Sequence, residues 1–440
     1  DKQIIEYAID NIEEFKDFLS YPNDANKRSD IVNLIKWSQE NFQNLGFNIT
    51  KLQTPTIPLL LAEKIYNKKY KTILIYLHLD GQPVDNSKWN QNNPYEPVLK
   101  SRNDKQEFVQ VRWDVLKNIT LEEIEENDLR IFARSVSDAK GPVMMLINAL
   151  NLIKKNNIEP KFNLKIIMDF EEEKSSPNLP VAVTKYSDLL KSDGLLIFDG
   201  PQHISGLPTL SFGNRGISTI RLTTYGPIVP QHSGHFGNYA PNPVFRMSSV
   251  LSSMKDENGI VLIEGFYDGI NITEEIKKDL NRVPDNENEM LSTMQFKSPD
   301  KVGKSYQEAL QYPSLNVRGI QAGWVKDQAR TIIPSECIAE IDVRLVLESD
   351  GYKLLDLIKE HIKTLGYKVL EKRPTKRERM MYDKIITFES EVSYPAFRTD
   401  INSPIGIWAS SALYKAFGRK PIKIRTSGGS IPISPFVSTL

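Results

Sequence analysis

The sequence has almost no cysteine, no excess of charge and no long apolar run, and each of these absences excludes a class of protein. Cys337 is the single cysteine among 440 residues, so no disulfide forms within the chain and a disulfide-built secreted module is excluded. Lysine plus arginine and aspartate plus glutamate both number 56, which removes the electrostatic footprint of a nucleic-acid partner. No window reaches the roughly 18 apolar residues that a membrane span needs.

The length of the chain and its first residue bear on the number of domains and on localisation. A chain of 440 residues is longer than one hydrophobic core usually serves, so two domains are expected. The chain begins at Asp1 rather than at a methionine. This leaves two localisations open, the cytoplasm or export after removal of an N-terminal segment.

Strand-like and helix-like patterns alternate in the first half of the chain. Residues 72–79 form a nearly continuous apolar run, which is typical of a strand buried on both faces. Residues 141–155 have helical spacing, with Pro142 in the first turn. Strands that alternate with helices predict an α/β fold whose sheet is mostly parallel.

The pattern changes near residue 211. Residues 337–346 alternate like a strand with one solvated face, which favours an α+β domain inserted into the first one. The pattern of the first domain returns after residue 394. We therefore expect a discontinuous catalytic, metal-binding domain of residues 1–210 and 395–440, with residues 211–394 as the insert.

Acidic residues and one histidine fall where the predicted strands end. In open α/β sheets, ligands bind in the crevice outside the carboxyl ends of the strands, so these side chains are expected to converge there. They are His78 and Asp80 after the first run, Asp138 in the turn before the helix, Glu171, Glu172 and Glu173 after the next run, and Asp199 after the last.

One imidazole and several carboxylates suit Zn²⁺, with Mn²⁺ and Co²⁺ as alternatives. The spacing of two between His78 and Asp80 puts both side chains on one side of a strand, so Asp80 is expected to accept the second ring N–H. Glu172 and Glu173 point in different directions. One can therefore bind metal while the other accepts a proton, which is the division that metal-assisted hydrolysis needs.

Each of these features also has a structural interpretation. A lone His-x-Asp at a strand end is commonly a surface turn, a run of acids commonly starts a solvated helix, and Asp138 in its Ser-Asp-Ala-Lys context could be an N-cap. Their joint occurrence at several strand ends, in a chain with five histidines, favours a metal site. The sequence contains neither a Gly-x-Ser-x-Gly elbow nor a His-Glu-x-x-His helix.

The sequence resembles the family of co-catalytic metallopeptidases that contains carnosinases, aminoacylases, succinyl-diaminopimelate desuccinylase and glutamate carboxypeptidases. Trp89 with NPYEP (93–97) favours the carnosinase-like branch. The other matching stretches occur in the family's order. They are LHLDGQPVD (77–85), ARSVSDAKGP (133–142), FEEEKSSPNLP (170–180), LLIFDGP (195–201), VPQHSGHFG (229–237), TIIPSECIAEIDVRLV (331–346) and RTSGGSIPI (425–433).

The resemblance implies two divalent metal ions, most simply zinc. His78 and Asp199 would bind one ion, Glu173 would bind the other, and Asp138 would bridge both. Glu172 would be the general base that deprotonates the bridging water. The resemblance also implies a cis peptide bond after Asp138.

The resemblance further implies a substrate site and a homodimer. His232, in the lid, would polarise the scissile carbonyl, in the family often from the partner subunit. Arg344 and the Gly428-Gly429-Ser430 turn would hold the substrate carboxylate. The fold implied is a metal-binding α/β domain that carries a ferredoxin-like lid and dimerisation domain.

The sequence departs from the family pattern at one ligand. The family has a final metal-ligating histidine a few tens of residues beyond the GGSIP turn, and none of the five histidines occupies that place. Either the protein continues past Leu440 or the Glu173 site is incomplete. We therefore expect the His78 site to bind metal more tightly than the Glu173 site.

Two functions remain open from sequence. The leading hypothesis is a two-metal hydrolase that cleaves amide bonds in dipeptides, short peptides or N-acyl amino acids, as a dipeptidase, carboxypeptidase or deacylase. The alternative is a non-catalytic member that binds such molecules through an incomplete metal site. Sequence does not choose among the substrates, because side-chain pockets are assembled from scattered loop residues.

Overall fold

A computed structural model describes residues 2–117, 119–200, 202–429 and 433–440, and the chain divides into two compact units. The first unit comprises Asp1–Pro201 and Pro435–Leu440, and the second comprises Gln202–Ser434. The chain therefore leaves the first unit and returns to it, but the boundaries differ from the expected ones.

The difference comes from strand pairing. Residues 209–211 pair in parallel with residues 422–424, and residues 213–214 pair with residues 397–398. These ladders hold residues 202–210 and 395–434 within the second unit. The assignment of the catalytic and lid roles to the two parts of the chain stays a prediction.

The described part of the first unit contains a five-stranded sheet and a three-stranded sheet. The larger sheet has the order β1-β2-β7-β3-β8, and the smaller one has the order β5-β4-β6. The strands are β1 (Asn48–Leu52), β2 (Leu59–Lys64), β3 (Thr72–His78), β4 (Val98–Arg102), β5 (Phe108–Val111), β6 (Arg130–Phe132), β7 (Asn163–Asp169) and β8 (Gly194–Ile197).

Strand β3 runs parallel to both of its neighbours, β7 and β8, whereas β1 and β2 pair antiparallel at the other edge of the sheet. The predicted apolar run is buried from Ile73 to His78. In the register, His78 lies opposite Asp169, and Tyr76 lies opposite Ile197. The segments that follow these three strands therefore leave the sheet at one edge.

Helices cover the larger sheet of the first unit, and its side chains pack around Leu74 and Tyr76 in one apolar cluster. Burying a side chain such as leucine contributes about 1.5–3 kcal/mol, so this cluster fixes the strands that carry the site. The helices are α1 (Lys2–Asp10), α2 (Ile12–Ser20), α3 (Arg28–Asn44), α4 (Leu121–Glu126), α5 (Lys140–Lys155), α6 (Leu179–Lys185) and α7 (Ser187–Leu190).

The second unit is built on a five-stranded sheet of order β13-β15-β11-β17-β16, which is antiparallel except for the β16–β17 pair. Its strands, with those of the small two-stranded ladders, are β9 (Thr209–Ser211), β10 (Gly213–Asn214), β11 (Gly216–Tyr225), β12 (Gln231–His232), β13 (Ser314–Gln321), β14 (Ile332–Ile333), β15 (Glu336–Leu345), β16 (Lys368–Leu370), β17 (Ile385–Tyr394), β18 (Phe397–Arg398) and β19 (Ile422–Ile424).

The predicted alternation along β15 is confirmed, because every second residue from Cys337 to Leu345 is buried. These residues pack with side chains of α9 and α13, and Cys337 is a buried member of the cluster. The helices of this unit are α8 (Ser233–Phe236), α9 (Pro243–Met254), α10 (Glu274–Leu280), α11 (Glu287–Met294), α12 (Tyr306–Ala309), α13 (Gly351–Thr364), α14 (Lys376–Met381) and α15 (Pro404–Phe417). The last helix, α16 (Ser434–Thr439), belongs to the first unit from residue 435 onward.

The fold class is the predicted one, an α/β unit with an α+β unit inserted into it. Among the described residues, every helix is too short or too polar to cross a membrane.

Candidate metal centre

Three predicted ligands come together at the carboxyl edge of the first unit's sheet. One ligand atom each from His78, Asp138 and Asp199 lies within 4.8 Å of the others. Nε2 of His78 is 3.1 Å from Asp138 Oδ1 and 3.8 Å from Asp199 Oδ1. Two of these side chains lie at this edge because His78 ends β3 and Asp199 follows β8, the parallel neighbour of β3.

The environment of His78 favours a bound cation. Its side chain is 1% exposed, and in the described part of the chain neither ring nitrogen has a partner in hydrogen-bond geometry. Burial opposes protonation, yet Asp138, Asp199 and Asp80 raise the pKa of His78 well above its usual value. The three carboxylates therefore attract a positive charge to the place where the imidazole points.

Asp138 reaches the site from the turn that precedes α5. The Asp138–Ala139 peptide bond is cis, which confirms the geometry expected at this turn. The Asp138 side chain is exposed, whereas the histidine that it faces is buried. This arrangement leaves one side of the group open to solvent.

Glu172 and Glu173 occupy a short 3₁₀ turn directly after β7. The pKa of Glu172 is raised to about 7, mainly by burial; His78 opposes the rise, and the carboxylates of Asp199 and Asp80 add to it. Burial also raises the pKa of Glu173, whose Oε2 accepts a hydrogen bond of 2.9 Å from Gln82. A carboxylate with a pKa near neutrality is suited to accept and return a proton.

Asp80 has a different partner from the expected one. Its Oδ1 lies 3.8 Å from Nδ1 of His78, which is longer than a hydrogen bond. Instead, Oδ1 accepts from the backbone N–H of Glu172 at 3.1 Å, and Oδ2 accepts from that of Glu173 at 3.0 Å. Asp80 therefore positions the glutamate turn, a role that the spacing of His78 and Asp80 did not reveal.

Two further buried acids, Asp169 and Glu171, hold the same turn, a role that the sequence did not indicate. Oδ1 of Asp169 accepts from the N–H groups of Phe170 and Glu171, and Oδ2 accepts from the Tyr76 hydroxyl at 3.1 Å. The Glu171 carboxylate bonds to the Asn178 amide and, at 3.1 Å, to the Lys174 ammonium. Both acids lie close to the predicted pair in the sequence, and burial distinguishes them from the less buried Glu172 and Glu173.

The predicted substrate residues lie in the second unit. His232 is exposed and caps the short α8, accepting from the N–H of Gly234 at 3.0 Å. Its ring centroid is 4.9 Å from that of His235.

Arg344 stands on β15 with a second guanidinium close by. Burial, followed by the charge of Arg344, lowers the pKa of Arg215 to about 10. The glycine turn lies along the same segment, because Asn214 donates to the carbonyl of Gly429 at 3.1 Å and forms a bridge with Ser427. Gly428 belongs to this turn, and Ser430 lies outside the described residues.

Known proteins are similar to this chain across both of its units. Residues 212–369 match the peptidase dimerisation domain. The chain is 24% identical to the Cys-Gly metallodipeptidase dug1 of Schizosaccharomyces pombe, over 77% of this chain and 69% of that protein. It is also 24% identical to the human Beta-Ala-His dipeptidase, over 92% of this chain and 76% of that protein.

A solved structure extends this agreement to nearly the whole chain. The M20 family metallo-carboxypeptidase of Sulfolobus solfataricus superposes with a TM-score of 0.75 at 27% identity, covering 97% of this chain and 88% of that one. The fold, the acidic centre and these relatives define a metal-dependent peptidase. The match to the M20 peptidase dimerisation domain, together with these relatives, confirms the resemblance to metallopeptidases seen in the sequence.

Proposed function

We propose that this peptidase hydrolyses dipeptides with two divalent metal ions, using Glu172 as its general base. The observation that carries the proposal is the convergence of His78, Asp138 and Asp199 beside a partly buried glutamate whose pKa is about 7. The named relatives are dipeptidases, which favours a dipeptide over an N-acyl amino acid and favours catalysis over binding alone.

The residues fit a metal. One imidazole and two carboxylates are a known donor set for a catalytic zinc site with an open position, and the buried ring nitrogens of His78 lack hydrogen-bond partners among the described residues. Asp138 would bridge to a second ion held by Glu173. When bound, the ions supply Lewis acidity and lower the pKa of a water molecule.

Glu172 moves the proton in the proposed reaction. Its carboxylate accepts a proton from the attacking water and then donates it to the departing amine, so one group serves as base and then as acid. Asp80 supports this role, because its bonds to two consecutive N–H groups fix the turn that carries Glu172. Glu173, next in the chain, is left to bind metal.

Substrate recognition is proposed to use the second unit. Arg344 would pair with the free carboxylate of a dipeptide, and the neighbouring Arg215 strengthens the positive potential there. His232, on an exposed turn, would polarise the scissile carbonyl. The backbone of Gly428 and Gly429 would complete the carboxylate site, since a glycine turn lets the substrate approach closely.

A homodimer is proposed through the second unit, which matches the peptidase dimerisation domain. Strand β13 is at the end of its sheet, with β15 as its neighbour, and it exposes Val317 and Ile320. Trp324 and Val325, just beyond the strand, are also exposed. An edge strand with apolar side chains is a surface on which a second copy can pair.

The deciding experiment combines metal titration with a substrate panel. Metal-free protein would be titrated with Zn²⁺, Mn²⁺ or Co²⁺ and assayed on dipeptides, on their C-terminal amides and on N-acyl amino acids. We expect hydrolysis of the free dipeptides, weaker activity on the amides, and one metal equivalent bound more tightly than the other. Binding of dipeptides without turnover at saturating metal would overturn the catalytic proposal in favour of a binding protein.

A further inference from the structure

The segment of residues 19–25 comprises the end of α2 and most of the loop that leads to α3. It is hydrogen-bonded to two chain segments that carry metal-centre residues, the end of β3 and the turn before α5. Asn23 and Asp24 within it are buried, although both are polar. Buried polar side chains normally have hydrogen-bond partners, and those of Asn23 identify what the segment holds.

The first set of bonds reaches the end of β3. The N–H of Gly81 donates to the carbonyl of Asn23 at 2.7 Å, and the N–H of Ala25 donates to the carbonyl of Gly81 at 3.0 Å. Nδ2 of Asn23 donates to the carbonyl of Leu79 at 2.9 Å. The residues on either side of Asp80, directly after His78, are therefore tied to this segment.

The second set reaches the turn that presents Asp138. Nδ2 of Asn23 also donates to Oγ of Ser135 at 3.0 Å. The fully buried amino group of Lys140 donates to the carbonyl of Tyr21 at 2.5 Å and to that of Leu19 at 3.2 Å. Ser135 and Lys140 flank Asp138, and the N–H of Lys140 donates to the carbonyl of Ser135 at 2.9 Å.

The two sets meet in a tightly packed space. A Cβ atom placed on Gly81 would lie 2.3 Å from Oγ of Ser135 and 2.9 Å from Nδ2 of Asn23. The β3 end and the Asp138 turn are therefore separated by little more than the Asn23 amide. A change in that amide alters the spacing of the two segments directly.

We infer that Asn23 is a positioning residue for the metal centre, acting through the spacing between His78 and Asp138. The inference rests on the proposed metal function. A metal ion tolerates ligand distances only within about 0.2 Å, and loss of an outer hydrogen-bond partner typically weakens metal binding about 10- to 100-fold. His78 and Asp138 lie on segments that the Asn23 side chain joins, so it controls a distance on which metal binding depends.

The test compares Asn23→Ala with a matched control, Asn163→Ala. Asn163 is also buried in the first unit and also bonds several backbone groups, among them the carbonyls of Asn67 and Tyr70. It starts β7 opposite Thr72, at the end of β3 that is remote from His78. Both variants lose stability, but only Asn23→Ala alters the segments that hold the ligands.

Zinc affinity of the metal-free proteins would be measured by competition with a chromophoric chelator. We expect Asn23→Ala to bind Zn²⁺ about 10- to 100-fold more weakly than the wild type, and Asn163→Ala to stay within about threefold. Equal weakening in both variants would overturn the inference, because loss of stability alone would then explain it. Wild-type affinity in Asn23→Ala would overturn it too.

Two further proteins separate this inference from the proposed function and from misfolding. If His78→Ala binds zinc as tightly as the wild type, the proposed metal centre itself is wrong. If Asn23→Ala does not fold, Ser135→Ala removes the Asn23–Ser135 bond alone. Its Co²⁺ complex should show a visible absorption spectrum different from that of the wild type. An unchanged spectrum together with unchanged affinity would refute the positioning role.

Discussion

At the scale of single residues, the acids of the candidate metal centre divide into those that face the imidazole of His78 and those that hold other residues. Asp138 and Asp199 each place a carboxylate oxygen within 4.8 Å of the imidazole of His78. Both carboxylate oxygens of Asp80 instead accept hydrogen bonds from backbone N–H groups. These two hydrogen bonds fix the position of the carboxylate, so Asp80 supports the glutamate turn.

Replacing Glu172 by glutamine tests the base directly. The amide keeps the size of the side chain but cannot accept the proton, so we expect turnover to fall by about 10²- to 10⁴-fold. Metal content should stay near that of the wild type, because Glu172 is not a proposed ligand. Turnover within a few-fold of wild type, at equal metal content, would remove Glu172 from the mechanism.

Lys140 predicts a pH dependence of stability. Burial lowers the pKa of its amino group from 10.5 to about 7. Between these values the unfolded chain binds more protons than the folded one, so the free energy of unfolding rises as the pH increases from 7 towards 10.5. Below pH 7 both states are charged and the folded state carries the whole burial penalty, on the order of 3–5 kcal/mol.

The measurement is denaturant unfolding of the metal-free protein at several pH values, with Lys140→Met as the control. The difference in unfolding free energy between the two proteins should shift in favour of the wild type as the pH rises from 7 to 10. A difference that stays constant over this interval would mean that Lys140 keeps its charge in the folded state.

At the scale of elements, the ends of three parallel strands place the site, and the sequence indicates this much. The apolar run of residues 72–79 predicts a buried strand, and acids after such runs predict a shared edge. The partners of Asp80 could not be predicted, because the His-x-Asp spacing fits either an imidazole or a backbone amide. The Asn23 contacts also escape prediction, since they join residues far apart in the sequence through a loop that has no periodic pattern.

The boundaries of the two units were likewise not predictable from the sequence. Residues 395–434 have the helix and glycine turn of a returning α/β domain, yet short ladders such as β9–β19 hold them in the second unit. Three-residue strands carry too little pattern to be assigned from sequence. The long alternating β15, by contrast, is predicted correctly.

At the scale of the whole molecule, the proposed homodimer predicts the effect of a charge on β13. Ile320 is exposed on this edge strand, and a lysine there would disfavour pairing with a second copy. We expect Ile320→Lys to shift the protein from dimer to monomer in light scattering coupled to size exclusion. Met380→Lys, at an exposed site on α14, is the matched control and should leave the mass unchanged. A dimer that persists in Ile320→Lys would place the interface elsewhere.

The helix α16 has a consequence for how the chain folds during synthesis. Phe436 is buried there and packs edge to face against Tyr76, with ring centroids 5.9 Å apart. Tyr76 lies two residues before His78 on β3. All the proposed metal ligands are synthesised before Phe436. The apolar core of the first unit is therefore completed only after the second unit has been synthesised. Phe436→Ala should lower the free energy of unfolding by about 3–5 kcal/mol, measured by denaturant unfolding. A nascent chain released before residue 436 should bind zinc weakly and be cleaved readily by protease, whereas tight zinc binding by that chain would show that the first unit matures alone.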